Sequence, residues 1–219
     1  MEMDNYLSDL NRDVLTEKKI HVKKYVYVKR AIDIILSIGA IALLSPLFLL
    51  CSLMILITDG APIILRQQRV GQFEELFTCY KFRTMDRRTP AYVPTEELKD
   101  SSQHITPLGR ILRRLSLDEL PQLFNILKGE MSFIGPRPLI PQEKSIHDDR
   151  RCKGIYILKP GLSGYAQVMG RDLLSAKEKA ELDHYYLVHI SLWLDMKIFF
   201  KTFFVILKKK GYREGQEQD

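Results

Sequence analysis

A run without a single charged residue, Ile34 to Thr58, constrains this chain more than any other feature. It holds 25 residues, most of them Ile, Leu, Ala, Met and Phe. At a helical rise of ~1.5 Å per residue it reaches roughly 37 Å, enough for a hydrocarbon core of about 30 Å. No second run of this kind occurs, so the chain either crosses a bilayer once or enters and leaves by the same face. A buried helix of a soluble protein is the competing reading, and so long an uncharged stretch in 219 residues argues against it.

Ser45-Pro46 falls in the middle of the run. Proline removes an amide donor and clashes one turn back, which costs a straight helix about 3 kcal/mol. The carbonyls freed near Ile41 and Ala42 need a partner in lipid, and the Ser45 hydroxyl is close enough to serve. Lys18, Lys19, Lys23, Lys24, Lys29 and Arg30 precede the run, while Arg66, Arg69, Lys81 and Arg83 follow it. Positive charge on both sides gives no asymmetry from which to choose an orientation. A re-entrant hairpin bent at Ser45-Pro46, with both ends cytoplasmic, resolves this, and a kinked span is the alternative. Asp33 at the entrance costs little at the interface, particularly if it pairs with Lys29 or Arg30.

About 160 residues follow the run, enough for one compact domain with its own core. The net charge of +6 and pI near 9.1 suit an anionic partner, and membrane headgroups are the plainest one. No nucleic-acid module or zinc-finger spacing is present, so neither nucleic acid nor zinc is expected as a partner. Cys51, Cys79 and Cys152 are scattered and odd in number, which fits a reducing compartment. The organisation read from the sequence is an interfacial segment over 1–30, a membrane helix over 31–58, a catalytic domain over 59–210 and a polar tail over 211–219. The fold class is α+β and mainly helical, with a short β-hairpin and interfacial amphipathic helices.

Ile63-Ile64-Leu65 and Leu76 to Phe82 read as two strands around a turn near Gly71. Asp86 to His104 is polar and aperiodic, either a lid over a site or a solvated insertion. Thr106-Pro107 starts a helix, with threonine as cap and proline at the first helical position. Leu120 to Leu127 is helical and stops at Gly129. Lys177 to about Lys210 forms one or two helices. Their last part carries Trp193, Phe199, Phe200, Phe203 and Phe204, with Lys197, Lys201 and Lys208 on one face. That pattern suits a helix in the headgroup layer or one packed on the domain.

The familiar nucleotide-binding and spaced-aspartate motifs are missing. What stands out is the adjacent pair Asp118 and Glu119 in Leu117-Asp118-Glu119-Leu120-Pro121, just after Arg110, Arg113 and Arg114. Ser116 and Glu119 have the form of a capping box, a purely structural role. Pro121 argues against it, and a helix starting later leaves both acids at its edge to meet a ligand. Lys81, Arg83, Arg137 (between two prolines) and Arg171 add guanidinium and ammonium groups suited to a multiply charged anion. Carboxylates amid such cations call for a divalent metal, Mg²⁺, held by Asp118 and Glu119.

These stretches, in this order, resemble the small bacterial sugar transferases, the monotopic polyprenyl-phosphate phosphoglycosyl transferases. The residues that carry the resemblance are Lys29-Arg30-Ala31-Ile32-Asp33, Ser45-Pro46, Tyr80 to Met85, Leu115 to Gln122, Gly129 to Leu139, Lys159 to Val168 and Ser191 to Asp195. They span about residues 25 to 210. Tyr165, where the family often has Trp, and Met169, where it often has Asn, depart from the pattern and bear on substrate preference.

The resemblance implies a Mg²⁺-dependent two-step transfer of sugar phosphate from a UDP-sugar to polyprenyl phosphate, releasing UMP. Asp118 is then the nucleophile, Glu119 assists with metal or proton balance, and Arg113, Arg137 and Arg171 contact phosphate. It places the protein at the bacterial inner membrane with its catalytic domain in the cytoplasm, where it starts capsule, exopolysaccharide, O-antigen or glycoprotein glycan assembly. Homo-oligomers or association with downstream glycosyltransferases are compatible with it. A membrane-tethered binding protein is a rival that leaves the acid pair and the Pro-Arg-Pro corner without a purpose. A transferase using a CDP-linked donor lacks its expected spaced aspartates.

Overall fold

The computed structural model describes residues 18–86, 104–170 and 173–208, with side chains from Tyr25 to Val205. Most of the 86–104 segment, Arg171 and the two termini lie outside these residues. Helix α1, Lys18–Thr58, is followed by strands β1, Ile64–Val70, and β2, Leu76–Phe82. Helices α2, Pro107–Arg114, and α3, Gln122–Lys128, flank a short 3₁₀ turn at Leu117–Glu119. Strand β3, Ser132–Ile134, leads to α4, Lys144–Cys152, then to β4, Gly161–Ser163, and α5, Tyr165–Met169. Helices α6, Ala176–His189, and α7, Leu192–Lys208, complete the described chain.

α1 is one continuous helical element with Pro46 inside it, and it begins well before the apolar run. Pro46 leaves the Ala42 carbonyl without its usual amide donor, and the Ser45 hydroxyl donates to that carbonyl at 2.9 Å. One face of α1 packs on the domain. Cys51 and Ile55 are buried with Phe82, Leu108 and Leu112, while Ile41, Leu44 and Phe48 lie against Leu123, Ile126 and Met131. The other face leaves Ile35, Leu43, Leu49 and Ile57 exposed, so the helix is long and apolar enough to cross a membrane yet only half covered by protein.

Polar contacts tie both ends of α1 to the same domain. Arg30 donates to the carbonyls of Ile126 at 2.6 Å and Leu127 at 2.8 Å, closing the C-terminus of α3. Asp33 accepts from the Ser132 hydroxyl and the Phe133 amide, both at 3.1 Å. Lys29, Tyr25 and Tyr186 all bond the buried Asp195 carboxylate. Asp33 thus bonds β3, while Lys29 and Arg30 reach other partners. At the far end, Arg83 donates to the carbonyls of Asp59 and Gly60, and the Asp59 carboxylate accepts from the Thr106 hydroxyl at 3.1 Å.

The hairpin pairs β1 and β2 antiparallel, from Ile64 opposite Phe82 to Val70 opposite Leu76. It is longer on the β1 side than the three apolar residues suggest, since Arg66 to Arg69 continue the pairing. β3 and β4 form a second, parallel pair. Its strands are too short for alternation to show, and the Gly161 segment supplies one of them. Thr106 caps α2 as expected, accepting from the Gly109 amide at 2.9 Å. Gly129 ends α3 at a φ of 92°, a conformation in which glycine carries no Cβ penalty. The C-terminal stretch resolves into two helices. α7 buries Ile198 among Leu158, Val168 and Tyr186, while Trp193, Phe200, Phe203 and Phe204 stay exposed on the rest of its surface.

Candidate active site

The site forms where the hairpin, the turn after α2 and the Pro-Arg-Pro corner meet. Ser116 does not cap a helix. Its φ of 55° is left-handed, its hydroxyl makes no capping bond, and α3 starts only after Pro121. Leu117 and Leu120 pack against the cluster of Cys51, Ile55, Phe82, Leu108 and Leu112. The tight 3₁₀ turn between these two leucines presents Asp118 and Glu119 side by side. The capping-box reading of the acids gives way to the one in which they are available to a ligand.

Lys81 ends the outer strand of the hairpin and donates to Glu119 Oε1 at 3.0 Å. Arg137, with its side chain 45% exposed, reaches the same oxygen at 3.4 Å. Arg113 on α2 donates from Nε to the Thr84 hydroxyl at 2.7 Å, which fixes its guanidinium beside the turn. Burial pushes the Asp118 carboxyl above the ordinary aspartate range, the Glu119 charge pushes the same way, and Lys81, Arg113 and Arg137 pull it back. Two carboxylates held by three cations form a mixed-charge cluster that can exchange its internal pairs for an incoming polyanion.

Five of the expected residues, Asp118, Glu119, Lys81, Arg113 and Arg137, gather here. Arg83 is not brought to them. It is buried and spends its guanidinium on the Asp59 and Gly60 carbonyls, so its position is that of a tie between the end of α1 and the hairpin. Arg171 lies outside the described residues.

Sequence reasoning passed over Arg69 and Gln122. Both line the cleft with Cys79, Lys81, Glu119, Arg137 and Pro138. In the hairpin register Arg69 and Gln67 share a strand face with Cys79 and Lys81, but Arg66 to Arg69 is an unbroken polar run, so no alternation marked that face in the sequence. The cleft itself measures about 10 Å³, the volume of one water at most. A ligand therefore meets this cluster from the open Arg137 side.

No group of three or more His, Cys, Asp or Glu that could hold a metal occurs among the described residues. The adjacent carboxylates of Asp118 and Glu119 still suit Mg²⁺. That ion takes one or two carboxylates and fills the rest of its octahedron with phosphate oxygens and water.

The geometry is that of a mixed-charge cleft, two carboxylates among three cations, in a chain with one helix long and apolar enough to cross a membrane. The family model for bacterial sugar transferases matches residues 24–209, and the chain belongs to that family. It is 38% identical over 194 residues to the undecaprenyl-phosphate galactose phosphotransferase of Salmonella typhimurium, a match covering 74% of this chain and 40% of that protein. Similarity to a UDP-N-acetylgalactosamine-undecaprenyl-phosphate N-acetylgalactosaminephosphotransferase of Aeromonas hydrophila is 39%, over 76% of this chain and 40% of that one. The sugar transferase EpsL of Bacillus subtilis is 37% identical over 77% of this chain and 86% of its own length. The chain thus spans under half of the first two relatives and most of the third.

Proposed function

We propose that this protein transfers a sugar-1-phosphate from a UDP-sugar to polyprenyl phosphate, the first membrane step of a bacterial surface glycan. The observation that carries the reading is the Asp118–Glu119 pair enclosed by Lys81, Arg113 and Arg137 in a chain of the sugar transferase family. Relatives named for galactose and N-acetylgalactosamine support a UDP-hexose or UDP-N-acetylhexosamine as donor.

In the first step an Asp118 carboxylate oxygen attacks the β-phosphorus, forming an O–P bond while the bridging P–O bond breaks. UMP leaves with the bond electrons. In the second step a phosphate oxygen of the polyprenyl acceptor attacks the same phosphorus and displaces Asp118, giving polyprenyl-diphosphate-sugar. Phosphoryl transfer rewards in-line positioning and charge neutralisation, which a fixed carboxylate among three cations provides. Arg137 and Lys81 exchange their Glu119 contacts for donor phosphate oxygens, and Arg113 meets charge on the acceptor side. Glu119 and Asp118 would hold Mg²⁺, which would supply neutralisation of the diphosphate.

Separating the two half-reactions lets one small site serve a soluble nucleotide and a membrane lipid in turn. The membrane arrangement that goes with this is re-entrant, bent at Ser45-Pro46, with both ends of the apolar helix on the cytoplasmic face of the inner membrane. Support comes from the ties of Arg30 and Asp33 at one end and Asp59 at the other to a single domain. A domain on one side of a bilayer cannot hold both ends of a straight span by buried polar groups. α7 lies with its aromatic face in the headgroup layer, beside the same surface.

Purified protein in detergent, with Mg²⁺, polyprenyl phosphate and a panel of UDP-sugars, tests the reading by UMP release. Release with one donor, abolished in Asp118→Asn, is the expected result. Full transfer by Asp118→Asn refutes the covalent route.

A further inference from the structure

The corner Gly135-Pro136-Arg137-Pro138-Leu139 is held almost entirely by its carbonyls. Proline has no amide hydrogen, so residues 136 and 138 cannot anchor the segment as donors. The Pro136 carbonyl accepts from the Gly161 amide at 2.8 Å, and that of Leu139 from the Val70 amide at 2.9 Å. Between them, the Arg137 carbonyl accepts from Arg150 Nη1 at 2.8 Å, and the Pro138 carbonyl from Arg69 Nη1 at 3.0 Å.

Arg150 comes from α4 and is only 4% exposed. Its Nη2 donates to Asp183 Oδ2 at 2.5 Å, and Asp183, on α6, is 1% exposed. A buried ion pair of this kind seldom adds stability over apolar residues of the same size, because desolvating both charges offsets their attraction. A pair kept at such a cost calls for another use. The planar guanidinium provides it: Asp183 holds Nη2, Nε is buried without a hydrogen-bond partner, and Nη1 is aimed at the backbone of Arg137. The Arg137 side chain, by contrast, is nearly half exposed and reaches Glu119 across the cleft.

We propose that Arg150, clamped by Asp183, is a positioning residue that fixes the backbone from which Arg137 reaches the donor's phosphates. The proposal rests on the reading of Arg137 as a phosphate contact. Arg150 itself touches no substrate. Its planar fork sets where the Arg137 side chain starts, and Arg69 does the same one residue on.

The test is a double-mutant cycle in the full-length, detergent-solubilised protein, scoring kcat/KM for the UDP-sugar. The variants are Arg137→Ala, the matched apolar pair Arg150→Met with Asp183→Leu, and all three together. Arg137→Ala is expected to lower kcat/KM about tenfold to hundredfold, the range for losing a hydrogen bond to a charged group. The apolar pair is expected to lower it by a similar factor, while adding nothing once Arg137 is already alanine. Arg150→Lys, which keeps the charge for Asp183 but has no planar fork, gives the same cycle where the apolar pair fails to fold. Independent, multiplicative losses overturn the positioning role and leave the function intact. An Arg137→Ala protein with unchanged kcat/KM overturns the phosphate role of Arg137 and the proposal with it.

Discussion

Asn125 is the residue whose replacement by aspartate tests most sharply how the site is braced. It is fully buried on α3, and its side chain completes the free edge of β2 like a one-residue strand. Oδ1 accepts from the Tyr80 amide at 3.0 Å, and Nδ2 donates to the Thr78 carbonyl at 2.7 Å and to Glu130 Oε2 at 2.6 Å. Asn125→Asp preserves shape and the first bond, and loses both donations. An unsatisfied buried carbonyl costs about 1–3 kcal/mol, and a lost bond to a carboxylate about 1.5–3 kcal/mol. The total of roughly 3–6 kcal/mol corresponds to a melting point lower by about 6–20 °C in a chain of this size. The new carboxylate also faces Glu130, so Asn125→Asp is expected to melt below Asn125→Ala at neutral pH. Circular dichroism melts in one detergent at one scan rate measure all three proteins. An Asn125→Asp protein melting within about 2 °C of the parent at neutral pH refutes this account of how β2, and so Lys81, is held.

Glu119→Gln removes the like charge that helps push the Asp118 carboxyl up. On the proposed route only ionised Asp118 attacks, so kcat/KM rises with pH through its titration, and the acidic limb should move to lower pH in Glu119→Gln. Arg113→Met removes a stabilising cation and should move the limb the other way; a limb that stays put in both variants contradicts the electrostatic picture. Arg83→Met should lower the melting point by several degrees while leaving KM for the UDP-sugar near its parent value. A large KM effect without a stability loss restores Arg83 to the phosphate site.

Much of this arrangement is legible in the sequence where the signal is local. The Thr106-Pro107 start of α2 and the Gly129 stop of α3 follow from backbone preferences of single residues. The pairing of Ser45 with the Ala42 carbonyl follows from what proline removes. The rest depends on contacts distant in sequence. Asp33 could have met its near neighbours Lys29 and Arg30, and only the approach of Ser132 and Phe133 turns it inward. Arg83 and Lys81, two residues apart, read alike as cations, yet one is consumed by α1's last carbonyls and the other by Glu119. Arg69 and Arg150 look like ordinary surface arginines until the Pro-Arg-Pro corner is folded over them.

Asp118 carries the last consequence. Its carboxyl is raised in the folded protein, mainly by burial and then by the Glu119 charge, so the ionised form is less at ease folded than unfolded. The sign follows from linkage. A raised carboxyl contributes its stability below the ordinary aspartate value, about 4, and loses it as pH rises through the folded value. Above that folded value the parent therefore bears the full cost of an ionised, partly desolvated Asp118. Asp118→Asn, neutral at every pH, escapes that cost at similar shape. The variant should be inactive and should melt above the parent at pH 7, with the advantage vanishing near pH 4 and below. A melting point that falls at neutral pH means that Lys81, Arg113 and Arg137 hold Asp118 more favourably than burial opposes it. The nucleophile would then be a structural keystone and not a charge held ready at a cost to stability.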